Sequence, residues 1–212
     1  MEYLENLVEA IRAYNSKGAA SAAQEAMDAG VDPVTALDAV SGVMKDIGDR
    51  FGAEELWLPD LIGAADAAQS ALEVIETKIV ESGQQPERLG TVILGTVFGD
   101  IHNIGKTMVG ALLTAHGFKV VDLGTNVTSA QFVEGVKENK ADILALSALL
   151  TTTDVEQAKV IESLKEEGLR DQLKVMVGGG AITEEFAVEI GADGYRSTAP
   201  EAVELAVELV GG

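Results

Sequence analysis

Residues 91–123 read TVILGTVFGDIHNIGKTMVGALLTAHGFKVVDL: an apolar run, a polar loop bearing glycines, a helix-forming run and a second apolar run. Two short apolar runs separated by a helical segment are expected to be neighbouring parallel strands, because parallel neighbours need a crossover where antiparallel ones need only a tight turn. The alternation continues to the end of the chain. Strands are expected at 91–97, 118–123, 142–147, 173–177 and near Gly194-Tyr195, with helices at 104–115, 129–138, 154–167, 183–190 and 200–210. Strands and helices alternating in this way make a doubly wound parallel sheet, with loops after strands 1, 3 and 4 at its carboxyl edge.

Upstream, the period is helical throughout. Leu4, Leu7, Val8 and Ile11 fall on one face, and an alanine-rich run, Ala19 to Met27, ends before Gly30. Asp32-Pro33 is an N-cap followed by a first-turn proline, opening a helix that runs to Phe51-Gly52. Pro59 opens a fourth, which runs to Gly83 with Gly63, Ala64, Ala67 and Ala68 permitting close helix approach. The expected organisation is a four-helix bundle over 1–82, a polar linker over 83–89, and a domain over 90–212 whose five strands take the flavodoxin-like (Rossmann-like) order 2-1-3-4-5.

Composition narrows the chemistry. With 15 basic and 35 acidic residues among 212, the net charge is −20, which repels nucleic acid and anionic lipid surfaces. No stretch has the length of a membrane span or the pattern of a signal peptide, so a cytoplasmic location is expected. The chain has no cysteine and only 2 histidines. That excludes disulfides, thiol catalysis and Cys-ligated metals, and it leaves too few imidazoles for an ordinary all-protein metal site. A metal must arrive largely pre-ligated.

The loop Gly99-Asp100-Ile101-His102-Asn103-Ile104-Gly105-Lys106-Thr107 places one of those histidines at the expected switch point. On its own, His102 reads first as a loop-filling or capping residue. The segment nearly spells a phosphate-binding loop, but the position of that motif's first glycine holds Asp100, whose charge repels phosphate. A phosphoryl-accepting receiver domain is a second rival, and it lacks the acidic cluster that holds magnesium. His116, beside Gly117, suits a helix C-terminus. Trp57, at the start of a helix, reads first as core or staple packing and second as a cofactor contact.

Asp100-x-His102-x-x-Gly105 resembles the signature of cobalamin-binding domains. Forty-one residues (106–146) then precede Ser147-Ala148-Leu149, and twenty-eight (150–177) separate Leu149 from Gly178-Gly179, which is similar to the Ser-x-Leu and Gly-Gly spacing of that family. Phe51-Gly52 and Leu58-Pro59-Asp60-Leu61 resemble the cap segment of methionine synthase and of methanogen and acetogen corrinoid proteins. The two-part chain is identified as a member of the stand-alone corrinoid proteins of three-component methyltransferase systems.

The resemblance implies a cobalamin with His102 as the axial cobalt ligand in place of the cofactor's benzimidazole. A corrin supplies four nitrogens, in keeping with one imidazole and no cysteine. Asp100 is implied to orient His102 and couple it to a proton, with Thr153, where the family has serine, either completing the relay or capping a helix. The displaced nucleotide tail is implied to enter a slot formed by Gly105, Ser147, Leu149 and Gly178-Gly179-Gly180. Gly99, Ile101, Asn103, Ile104 and Thr151 are further implied contacts, and Tyr195 belongs to the core or to the tail pocket. Phe51 and Leu58 are implied to cover the upper corrin face. The implied function is methyl carriage: Co(I) accepts a methyl group from a substrate on a partner methyltransferase, and methyl-Co(III) passes it to a second methyltransferase with a tetrahydrofolate or thiol acceptor. A reductive activation protein is a further implied partner.

Overall fold

Asp32 accepts a hydrogen bond from the Thr35 backbone N–H at 3.0 Å, and Pro33 follows in the first turn, so the third helix begins where its cap and fixed φ require. The computed structural model describes residues 2–82 and 88–211; most of the expected linker, residues 83–87, lies outside the described residues. The chain forms two compact units, one helical and one α/β.

The helical unit contains α1 (Glu2–Arg12), α2 (Ser16–Asp28), α3 (Pro33–Gly52) and α4 (Leu58–Ser82). α2 packs chiefly on α4, and the alanines Ala19, Ala23, Ala26, Ala64, Ala67 and Ala68 are fully buried, so small side chains let these helices approach closely. Leu7, Ile11, Met44, Leu61 and Ile75 supply the bulk of the core. Trp57 departs from the packing expected of it: its side chain is 77% exposed, while its backbone N–H donates to Asp60 at 2.8 Å. The residue joins the α4 terminus through its main chain, which leaves the ring outside core and staple alike.

The α/β unit runs β1 (Thr91–Thr96), α5 (Ile104–Ala115), β2 (Lys119–Asp122), α6 (Ser129–Asn139), β3 (Ile143–Ser147), α7 (Val155–Glu166), a 3-10 turn (Arg170–Gln172), β4 (Lys174–Gly178), α8 (Glu184–Ile190), β5 (Gly194–Tyr195) and α9 (Ala199–Val210). The sheet is parallel with order β2-β1-β3-β4-β5, as the alternation implied. Register is anchored at the lower edge by Asp142, which accepts from the Thr91 N–H, and by Asp193, which accepts from the Val175 N–H, both at 2.7 Å. At the carboxyl edge, Thr96, Ser147 and Gly178 stand in one row across β1, β3 and β4. Gly178 is therefore the last residue of a strand and not, as expected, the first of a loop.

Candidate cobalt-ligand loop and cavity

β1 ends at Thr96 because the next residues exchange their partners for loop contacts. Val97 N–H donates to Ser147 C=O at 3.0 Å, and Asp100 N–H turns back to Val97 C=O at 3.1 Å. The chain then passes through Gly99, whose φ of +79° suits glycine, and delivers Asp100 inward, 1% exposed.

Every oxygen of that buried carboxylate is engaged. Oδ1 accepts from the His102 backbone N–H at 3.0 Å and faces His102 Nδ1 at 2.7 Å; Oδ2 accepts from the Leu149 N–H and the Thr153 hydroxyl, both at 2.8 Å. Burial by itself pushes the Asp100 carboxyl up, but these donors outweigh burial and hold it well below the usual carboxylate range. An ionised carboxylate only accepts, so the proton of the neutral imidazole sits on Nδ1 and the Nε2 lone pair is left for another partner. The His102 side chain is 47% exposed, which makes that lone pair reachable.

Thr153 resolves toward Asp100. Its hydroxyl lies 2.8 Å from Oδ2 and 3.0 Å from Leu150 C=O, and the residue capping α7 is Asp154, which makes no side-chain cap bond. Its single proton is best placed on the charged acceptor.

Large apolar side chains lie uncovered on the same loops: Ile101 is 76% and Ile104 71% exposed, and Phe98, Leu149, Leu150 and Val155 are also exposed. Exposed apolar residues clustered on one edge mark a binding surface. Phe98, Leu150 and Val155 were not singled out from sequence; for Phe98 and Leu150, an apolar residue in a loop segment was the available signal, whereas Val155 opens α7. Asn103 and Thr151 are exposed on the same two loops, after β1 and β3.

A cavity of about 560 Å³ opens beside the sheet, lined among others by Gly105, Lys106, Ser147, Gly178, Gly179 and Tyr195. Gly180 joins that lining, and Tyr195 also packs against the core, so both roles left open for it are filled. Leu149 is a departure: it is absent from the cavity wall, its N–H braces Asp100, and its side chain packs toward Gly180. The three glycines also differ. A Cβ on Gly178 would meet nothing within 4 Å, whereas one on Gly179, at φ +123°, would lie 1.9 Å from the Ala148 carbonyl oxygen. Gly179 is small because its own backbone crowds Ala148, and only Gly178 is free of such a constraint.

Lys106 is buried and forms an ion pair with Asp122, so it does not stand free as a phosphate-loop lysine would. Among the described residues no acidic or histidine cluster could hold a metal ion unaided. The residues present suit a cobalt already bound in a macrocycle: one accessible nitrogen with an oriented ring, exposed apolar residues on the same loops, and a cavity at the same edge of the sheet. Phe51 and Leu58, half-buried, lie at the end of α3 and the start of α4 in the helical unit. His116 follows the last residue of α5, as expected.

Comparison with known proteins agrees with this chemistry. The B12 binding domain family matches residues 90–206, and a second B12 binding domain family matches 3–76. The trimethylamine corrinoid protein 2 of Methanosarcina mazei is 46% identical over 194 residues, covering 91% of this chain and 89% of that protein. A corrinoid protein of Desulfitobacterium hafniense is 43% identical and covers 100% of this chain and 99% of its own length. The crystal structure of the methanol:cobalamin methyltransferase complex of Methanosarcina barkeri superposes with a TM-score of 0.83 at 30% identity, covering 100% of this chain and 80% of that one. The chain belongs to the family of B12-binding corrinoid proteins, and its cofactor is cobalamin.

Proposed function

We propose that this protein is a methyl carrier that works between two methyltransferases, with His102 as the axial ligand of its cobalamin. The observation that carries the reading is the 2.7 Å contact between His102 Nδ1 and the buried Asp100, which orients the ring and leaves Nε2 available on an accessible edge. When bound, the corrinoid supplies a cobalt centre able to accept and release a methyl group.

The chain's own residues do the remaining work. Asp100 holds the proton on Nδ1 and strengthens Nε2 as a donor. Thr153 donates to the other carboxylate oxygen and stabilises the ionised form. Were His102 to carry a proton on both nitrogens, Asp100 would balance its charge at hydrogen-bond distance. Gly178, with open space on its Cβ side, and Ser147 beside it form the wall against which the cofactor's nucleotide tail is placed. Phe51 and Leu58 are assigned the shielding of the cofactor's upper face.

The methyltransferase complex of Methanosarcina barkeri supports a methyltransferase as partner, and the further partners are proposed from the carrier role. A substrate-bearing methyltransferase delivers the methyl group, a second one removes it to tetrahydrofolate or a thiol, and a reductive protein restores inactive cobalt. The trimethylamine corrinoid relatives put a methylated amine first among donors. No helix among the described residues is long and apolar enough to cross a membrane, and with the acidic net charge this suits the expected cytoplasmic site of action.

The test is electron paramagnetic resonance of the Co(II) protein prepared with ¹⁵N-histidine. An axial His102 splits the cobalt lines into doublets, and His102→Ala abolishes that splitting and weakens cofactor retention. A triplet from a ¹⁴N base in the labelled protein overturns the ligand assignment. Loss of the Co(I) absorbance on adding trimethylamine with the cognate methyltransferase supports the donor.

A further inference from the structure

The Asp100–His102 pair is itself held from outside its loop. Thr96, fully buried at the end of β1, donates its hydroxyl to the His102 carbonyl oxygen at 2.9 Å. Asn126, on the loop after β2, bonds on both sides of Asp100: its Oδ1 accepts from the Gly99 N–H at 2.8 Å, and its own N–H donates to the Asp100 carbonyl at 2.9 Å. Asn126 does this at φ +57°, a left-handed conformation that asparagine tolerates better than most residues. The strand end is tied to the same loop, since Thr96 N–H donates to Gly124 C=O and Val127 N–H to Thr96 C=O, both at 3.0 Å.

From this we infer that Thr96 and Asn126 are positioning residues which fix the peptide planes of Asp100 and His102, so that the imidazole is set in its ligating orientation before any cofactor arrives. The inference rests on His102 being the ligand, but the orientation it describes belongs to the apoprotein. Asp100 accepts from the backbone and the ring of His102 through one oxygen, so a backbone shift that moves Asp100 against His102 strains both bonds. Thr96 holds the His102–Asn103 peptide by its carbonyl, and Asn126 holds the Phe98–Gly99 peptide by its N–H and the Asp100–Ile101 peptide by its carbonyl. Neither side chain needs to touch the corrinoid to act. Partners of a metal-ligating histidine are worth about 10–100-fold in metal affinity when removed; residues one step further out should fall at the lower end.

The experiment uses the full chain without and with cobalamin. Thr96→Val removes the hydroxyl at nearly constant shape, Thr96→Ser restores it, and Asn126→Gly tolerates the left-handed backbone and keeps its N–H while removing the side chain and with it the Oδ1 acceptor. In the apoprotein, ¹⁵N shifts of the neutral imidazole, assigned with His102→Gln, report which nitrogen carries the proton. Wild type and Thr96→Ser should show predominantly the Nδ1–H form. Thr96→Val and Asn126→Gly should shift toward the Nε2–H form, with the cobalamin dissociation constant raised about tenfold and the thermal unfolding midpoint little changed. Unaltered tautomers with affinities within twofold of wild type in both variants overturn the inference. If Thr96→Val does not fold, Asn126→Gly decides alone. Tautomer shifts in apoprotein variants, combined with no histidine splitting in the loaded wild type, uphold the positioning role and reject the ligand reading.

Discussion

The loop after β1 and the loop after β4 leave the same edge of the sheet, but they are built on opposite principles. The first is a hydrogen-bonded cage: Asp100 gathers donors from His102, Leu149 and Thr153, and Thr96 and Asn126 hold its frame. The second consists of missing side chains: Gly178, Gly179 and Gly180 leave backbone exposed to the cavity. In the cage, residue type and role correspond, because only an acceptor satisfies those donors. In the glycine run they do not, because absence of a side chain serves equally an internal contact or a ligand.

The sharpest way to break the comparison is to fill both kinds of glycine. Gly179→Val adds a Cβ against the Ala148 carbonyl and a strained positive φ, so it should cost about 4 kcal/mol or more in urea unfolding, whether or not cofactor is present. Gly178→Val places its Cβ where no protein atom lies within 4 Å, so its unfolding free energy should stay within about 1 kcal/mol of wild type while cobalamin uptake, followed by absorbance, is lost. If Gly178→Val loads normally, the nucleotide tail lies elsewhere.

The cage is probed by Asp100→Asn, which turns one acceptor oxygen into a donor facing donors. The apoprotein should lose about 1–3 kcal/mol at pH 7. The folded-state carboxyl is depressed, so its stabilisation is complete above the unfolded value of about 3.9 and declines as pH falls below it. The gap between wild type and variant in urea melts should therefore narrow at pH 3. A constant gap from pH 7 to pH 3 points to packing as the source of the loss.

The smallest effect is expected outside both loops. Phe51→Ala trims a half-buried side chain in the helical unit and should leave cobalamin affinity within about twofold, while the Co(I) form, followed anaerobically and then with measured oxygen, oxidises several-fold faster. Equal oxidation rates at matched loading remove Phe51 from the shielding role. They would leave the contrast between the two loops intact.

The strand order, the capped start of α3 and the loop bearing His102 were legible in the residues because each depends on local periodicity, a fixed φ or a donor–acceptor pairing within two positions. The resemblance paired Asp100 with His102, and their spacing of two positions made a hydrogen bond between them feasible. Other features depended on neighbours distant in the chain. Leu149 was expected to line the slot, yet it lies forty-nine positions from Asp100 and meets it through a backbone N–H, a group every residue but proline carries and no side-chain pattern reveals. Asn126 and Thr96 passed unnoticed for the same reason: an exposed asparagine and a strand threonine become specific only when the β1–β2 register brings them to one turn. Sequence by itself determined which elements form, which loops gather at the carboxyl edge and which residue types can serve cobalt. Tertiary structure alone decided which glycine faces open space, which threonine hydroxyl reaches the carboxylate and which backbone groups hold it, because those outcomes turn on distances of an ångström between segments that do not adjoin in the chain.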